Sequence, residues 1–330
     1  MDLSISLFSG TIKENKLTFL LVKEIKNVSV AIIWFAILGS LYFFSHTGGE
    51  VAGTVTVSPP IFPTAERVEI KVPTTTDAEM PPEIGARAVL VQDFRSRRTL
   101  FSKNSDEKLP TASLTKLVTS LVALKTLSPE ESITITESDV NVPLPRANLR
   151  PGERWTVEDL VTASLVASAN DAAQALARAG GKGSTAAFVK SMNEFAAELG
   201  MHDTSFTNPE GFDNDLHYST ASDLSLLVFE FLQHAELAAI VREKKATIGP
   251  VGGGRSVTLT TTNKLLLEHE EVLGIKTGYT TKARGNLILL LDELDGGERV
   301  QYFSIILGSN AREDESEKIL NWVRQNVVWQ

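Results

Sequence analysis

From residue 84 onward, strand-like patterns stand at both ends of the chain and helical periodicity fills the middle. Ala88–Asp93 and Thr99–Ser102 read as a β-hairpin. Helical patterns follow over Leu114–Leu127, Val157–Ala179 and Thr185–Leu199, and another begins near Thr220, where Thr220 and Asp223 have capping-box spacing. Strands return at Ser256–Thr261, Val272–Lys276, Asn286–Leu291 and Val300–Leu307, and a helix is expected over Glu313–Val327. This order predicts an α/β (α+β) fold. One antiparallel sheet of about five strands receives both ends of the region, helices flank it, and an all-helical lobe is inserted in the middle.

The preceding part has a different character. Val28–Phe44 (VSVAIIWFAILGSLYFF) contains 17 residues and no charge, at the short end for spanning a bilayer. Lys13, Lys16, Lys23 and Lys26 precede it, and no Lys or Arg follows until Arg67. That asymmetry predicts a cytoplasmic tail over 1–27, an uncleaved transmembrane helix over 28–44, and everything later outside the cell membrane. Residues 45–83 hold six of the 13 prolines and read as an extended extracytoplasmic linker. The folded domain is expected over 84–330, and the alternation at Arg67–Val72 reads as a short strand before it.

The net charge of −9 leaves no basic stripe for phosphates, which argues against a nucleic-acid partner. The absence of cysteine removes disulfides and thiolate chemistry. The five histidines show no metal-ligand spacing, so neither a metal nor another cofactor is expected.

Three short stretches carry the chemistry. In PTASLTKLVTSL, Ser113 precedes Lys116 by three residues at the start of an apolar helical stripe. One helical turn lets the two side chains meet, and a helix start favours developing negative charge. Ser105 and Lys108 have the same spacing with no such helix behind them, so this pair alone is weak evidence. LVASANDAAQAL places Ser168 and Asn170 two apart at a break between helical runs. LGIKTGYT places Lys276, Thr277 and Gly278 at a strand end, offering a fixed cation, a hydroxyl and a point of close backbone approach. The three together, in this order, are the pattern known from serine β-lactamases and penicillin-binding proteins.

From about Glu83 to Gln330 the chain resembles the D-alanyl-D-alanine carboxypeptidases, the low-molecular-mass penicillin-binding proteins. The resemblance extends to LRPGERWTVEDLVTASLVASANDAA, TNPEGFDNDLHYSTASDLSLL and TTNKLLLEHEEVLGIKTGYT. It implies a β-lactamase/transpeptidase-like fold and a serine peptidase that removes the terminal D-alanine from peptidoglycan stem peptides through an acyl-enzyme on Ser113. Lys116 is then the base, lowered by burial and by the cation of Lys276. Ser168 passes a proton to the leaving amine, and Asn170 orients Lys116 and the substrate. Backbone N–H groups of Ser113 and Tyr279 hold the oxyanion. Lys276 and Thr277 hold the terminal carboxylate, and Arg312 falls where the family carries an arginine near that subsite. β-Lactam antibiotics are the implied acylating inhibitors. His217 reads as a packing or capping residue.

Three departures from the family pattern stand out. Ala169 replaces the usual glycine of the second motif, and Arg284 follows Ala283 where the family has Ala-Gly. A C-terminal β domain with an amphipathic anchor is not expected, which leaves anchoring to the N-terminal helix. A D,D-endopeptidase cutting cross-links shares all three motifs. A non-hydrolytic penicillin-binding sensor or scaffold is the remoter alternative.

Overall fold

The computed structural model describes residues 72–75 and 81–330, all within one unit, Val68–Gln330. The apolar segment 28–44 and most of the proline-rich stretch lie outside the described residues, as does nearly all of the short strand expected over 67–72. Among the described residues no helix is long and apolar enough to cross a membrane.

Five strands form the central sheet: β1 (Ala88–Asp93), β2 (Thr99–Lys103), β3 (Val272–Thr280), β4 (Arg284–Asp295) and β5 (Glu298–Ser309). Their order is β2-β1-β5-β4-β3, and every pairing is antiparallel. β5 joins the two hairpins, with Ile305 opposite Leu90 on one side and Ile288 on the other. The sheet thus receives both ends of the region, and residues 104–271 leave and return between β2 and β3.

Side chains alternate across a strand, and here both alternations are apolar. Ala88, Leu90, Ile288, Leu290 and Ile305 join one core with the helical lobe. Val89, Val91, Leu287, Leu289 and Ile306 join a second core with Ile319, Leu320 and Val323. Those last three lie on the C-terminal helix Arg312–Asn326. The sheet is covered on both faces, so its strands read as continuous apolar runs.

The lobe contains α1 (Lys116–Thr126), α2 (Val157–Val166), α3 (Asn170–Gly180), α4 (Thr185–Glu198) and α5 (Ala221–Gln233). The sequence predicts an apolar stripe on α1. In the structure every residue from Lys116 to Ala123 is buried, because α2, α3, α4 and α5 all pack around this helix.

Several expectations change in detail. The pattern over Val157–Ala179 divides into α2 and α3, with Ser168 between them at φ +57°. The strand expected at Ser256–Thr261 is Val257–Thr260, and it pairs with Lys245–Ile248 outside the main sheet. Only half of the capping box at Thr220 forms. Thr220 Oγ1 accepts from Asp223 N–H at 2.9 Å, whereas the Asp223 carboxylate accepts instead from Asp203 N–H (2.8 Å) and Thr204 Oγ1 (2.7 Å). Within the stretch read as a linker, Pro73–Thr75 pairs with Val327–Trp329. Trp329 is held there by its indole N–H donating to Asp93 Oδ1 at 2.8 Å.

Candidate active site

The site is built where the start of α1 meets β3. Ser113 lies in a 3-10 turn, Ala112–Thr115, and Lys116 is the first residue of the α-helix that follows. The sequence reading placed Ser113 in the first turn of the helix, and the structure makes that turn 3-10. The tighter turn still brings the two side chains together, because residues three apart eclipse in 3-10 geometry. Lys116 Nζ lies 3.0 Å from Ser113 Oγ. It donates to Asn170 Oδ1 at 2.7 Å and to the Glu210 carbonyl at 2.8 Å. Lys116 is fully buried. Burial lowers its pKa to about 7, against the opposing influence of Glu210 and Asp171. Near neutral pH this amine is therefore present in both forms, as a base for a serine hydroxyl must be.

The turn is braced from below. Ala112 stands at φ +48°, a conformation that costs a non-glycine residue about 1–2 kcal/mol. Thr115 Oγ1 donates to the Ala112 carbonyl at 2.8 Å. His217 Nδ1 accepts from Thr207 N–H at 3.1 Å, which leaves the ring proton on Nε2, 2.8 Å from Thr115 Oγ1 and 3.1 Å from Thr111 Oγ1. Burial lowers His217 to about 4, so this imidazole is a neutral brace. From the sheet, Asn286 donates to the Pro110 carbonyl at 2.9 Å and accepts from Gly308 N–H at 2.9 Å.

β3 runs to Thr280, so Lys276, Thr277 and Gly278 lie within the strand and do not end it. Its pairing with Gly285 and Asn286 on β4 keeps the backbone extended through Gly278 and Tyr279. Gly278 is needed for contact: a Cβ there would sit 3.0 Å from Ser113 N and 3.1 Å from Ala112 Cβ. That approach sets the β3 backbone beside the Ser113 amide. Lys276 is buried, and its pKa falls well below the ordinary value. Burial is the first cause, followed by the charges of Lys116 and Arg312. The repulsion between Lys276 and Lys116 is mutual and opposes a second positive charge in the site. Thr277 Oγ1 is 2.5 Å from Thr262 Oγ1. Arg312 Nη1 donates to the Gly278 carbonyl at 2.8 Å, which brings this cation to the strand. Tyr279 is exposed.

The second motif approaches from the lobe. Asn170 begins α3, accepts from Lys116 and donates through Nδ2 to the Pro143 carbonyl at 3.0 Å. Ser168 is buried in the turn just before it.

Two departures from the family pattern gain a physical meaning. Ala169 has φ −64° and needs no glycine, because the left-handed position falls on Ser168. Arg284 takes φ +58°, so the glycine usual there is the residue its backbone favours. Its guanidinium donates to Asn310 Oδ1 at 2.9 Å. Sequence reasoning missed Asn286 and Glu210. Asn286 lies in a run read only as a strand, whereas Pro209-Glu210-Gly211 is a visible turn signal.

A family model described as D-alanyl-D-alanine carboxypeptidase matches residues 74–301. The D-alanyl-D-alanine carboxypeptidase DacF of Bacillus subtilis (strain 168) is 31% identical over 204 residues, 60% of this chain and 52% of that protein. DacC of Escherichia coli (strain K12) is 32% identical over 256 residues, 73% of this chain and 62% of that protein. The chain therefore spans 52–62% of the length of these two curated relatives. The crystal structure of the Streptomyces K15 DD-transpeptidase superposes with a TM-score of 0.70 at 29% identity, covering 75% of this chain and 100% of that one. On the extent of the family match, the chain belongs to the D-alanyl-D-alanine carboxypeptidase family.

Proposed function

We propose that this chain is a serine D-Ala-D-Ala carboxypeptidase acting on peptidoglycan stem peptides. The observation that carries the reading is a buried amine, Lys116 Nζ, 3.0 Å from Ser113 Oγ and lowered to about 7. Ser113 Oγ attacks the carbonyl between the two D-alanines while Lys116 takes its proton. The amide N–H groups of Ser113 and Tyr279 receive the oxyanion, an arrangement in which one donor is worth about 3 kcal/mol of barrier. Ser168 hands a proton to the departing D-alanine amine, and Asn170 holds Lys116 in place. Lys276, Thr277 and Arg312 bind the terminal carboxylate, whose negative charge favours the ammonium form of Lys276 against the lowering effect of burial. Gly278 allows the substrate backbone to lie along β3. Water then releases the peptide from Ser113. β-Lactams take the same route and stop at the acyl-enzyme.

The likeness to the Streptomyces K15 DD-transpeptidase adds a second fate for the acyl group, transfer to an amine. Residues 28–44 are proposed as the membrane anchor, with the domain from residue 84 outside the cell membrane.

The test is D-alanine release from a short peptide ending in D-Ala-D-Ala, with Ser113→Ala as control. Release that vanishes in the control supports the reading. A protein that takes up labelled penicillin at Ser113 but releases no D-alanine removes the carboxypeptidase assignment and makes cross-linked peptides the next substrate.

A further inference from the structure

The loop that offers its Glu210 carbonyl to Lys116 also reaches the far end of β3, and that second contact has no part in the chemistry above. On the side of the base the loop is pinned. Asn208 Oδ1 accepts from the N–H groups of Gly211 (2.7 Å) and Phe212 (2.8 Å), and Thr119 Oγ1 on α1 donates to the Pro209 carbonyl at 2.8 Å. Gly211, at φ +91°, lies so close to the Ser113 turn that an added Cβ would sit 1.8 Å from the Ala112 carbonyl oxygen. Two residues later Asp213 stands exposed. Its Oδ1 accepts from Thr280 Oγ1 at 2.5 Å, and its Oδ2 accepts from Lys282 N–H at 3.2 Å. Thr280 Oγ1 accepts in turn from Ala283 N–H at 2.9 Å. One carboxylate thereby holds both the end of β3 and the turn that leads into β4.

The place of this contact is what matters. β3 is an edge strand and pairs with β4 alone. Away from β4 it meets the Ser113 turn at Gly278. The Tyr279 amide, assigned to the oxyanion, is therefore bracketed: Gly278 before it packs on the Ser113 turn, and Thr280 after it is tied to Asp213. The turn beyond is strained, since Arg284, opposite Thr280, takes φ +58°. An oxyanion donor works only at the right distance, and a misplacement of about 1 Å can cost about a hundredfold. Lys282 Nζ also pairs with Asp215, but both side chains are exposed and such a pair holds little. A hydroxyl and an amide N–H converging on one carboxylate are charge-assisted and fix direction as well as distance.

We propose that Asp213 is a positioning residue: by holding Thr280 and Lys282 it sets the Tyr279 N–H against the Ser113 turn, and so joins the oxyanion strand to the loop that carries the acceptor for Lys116. Asp213 touches no reacting atom and acts through β3. The inference rests on the proposed reaction, with Ser113 as nucleophile and the Tyr279 amide as an oxyanion donor.

The test is stopped-flow acylation of the full chain by a fluorescent penicillin, which separates the binding constant from the acylation rate constant. Asp213→Ala should lower the rate constant by about five- to twentyfold and leave the binding constant within about twofold, because the oxyanion forms only in the chemical step. Its melting temperature should move by no more than about 2 °C, since Asp213 is exposed. Thr280→Val should slow acylation in the same way, and it keeps the test available if Asp213→Ala unfolds. Thr280→Ser retains the hydroxyl and should stay within about twofold of wild type. The double variant Asp213→Ala/Thr280→Val should be no slower than either single one, because both break one contact. Folded Asp213→Ala protein that acylates at the wild-type rate overturns the proposal, as do losses that multiply in the double variant. Wild-type protein that takes up no penicillin at Ser113 instead overturns the nucleophile assignment, and this inference with it.

Discussion

Burying Lys116 has a thermodynamic consequence that can be read without any substrate. Its ordinary pKa of 10.5 falls to about 7 in the folded protein. Below pH 7 both folded and unfolded chains carry the proton, and the fold bears the full cost of a buried ammonium. Between pH 7 and 10.5 the unfolded chain binds the proton and the folded chain does not, so stability rises with pH at about 1.4 kcal/mol per unit. From pH 6 to pH 9 the gain integrates to about 2.7 kcal/mol. Glu210, raised to about 7, works in the opposite direction, but mainly between its ordinary 4.5 and 7. Lys116→Met removes the titrating amine and keeps an unbranched chain of similar length. Urea unfolding of both proteins at several pH values gives the difference directly. The wild-type protein should gain on the variant by roughly 2–3 kcal/mol between pH 6 and 9, and Lys116→Met should be the more stable protein at the acid end. A difference that stays constant with pH would refute the claim that Lys116 is held near neutrality by burial.

Three further outcomes follow from the same geometry. Gly211→Ala places a Cβ against the Ala112 carbonyl at a positive φ, and should cost at least about 2 kcal/mol in urea unfolding as well as slowing penicillin uptake. His217 falls from 6.5 to about 4 in the fold, so the stability of its neutral form is complete above pH 6.5 and is lost as pH falls through that window; His217→Gln should remove about 3 kcal/mol of acid sensitivity between pH 6.5 and 4, measured by acid titration of unfolding. Arg284→Gly relieves the left-handed backbone at φ +58° and should raise stability by about 0.5–1 kcal/mol, seen as a higher melting temperature.

Much of this fold is legible because its signals are local. The hairpin Ala88–Lys103 has its two strands and its turn close together in sequence, and α5 is announced by Thr220, whose side chain caps it. The order of strands is another matter. That β5 pairs with β1 depends on residues some two hundred positions apart, and both faces of the inner strands are apolar, so alternation gives no register. Short pieces such as Ser132–Thr134 and Arg154–Thr156 hold too few residues to show a period. The sequence reading ended β3 at the Lys276-Thr277-Gly278 motif, whereas the strand runs on to Thr280 and Gly278 is the point where it touches the Ser113 turn. At the site, Ser113, Lys116, Asn170 and Lys276 were visible as motifs. Glu210 was not, since nothing in Pro209-Glu210-Gly211 says that a lysine 94 positions earlier will rest on it.

The central claim is that Ser113 is the nucleophile and that Lys116 activates it. The most direct measurement is mass spectrometry of peptides from the full chain after exposure to benzylpenicillin. The account predicts one intact penicillin on the peptide containing Ser113, no adduct in Ser113→Ala, and uptake slowed by about a hundredfold or more in Lys116→Met. An adduct on another serine, or undiminished uptake in a folded Ser113→Ala protein, would contradict it.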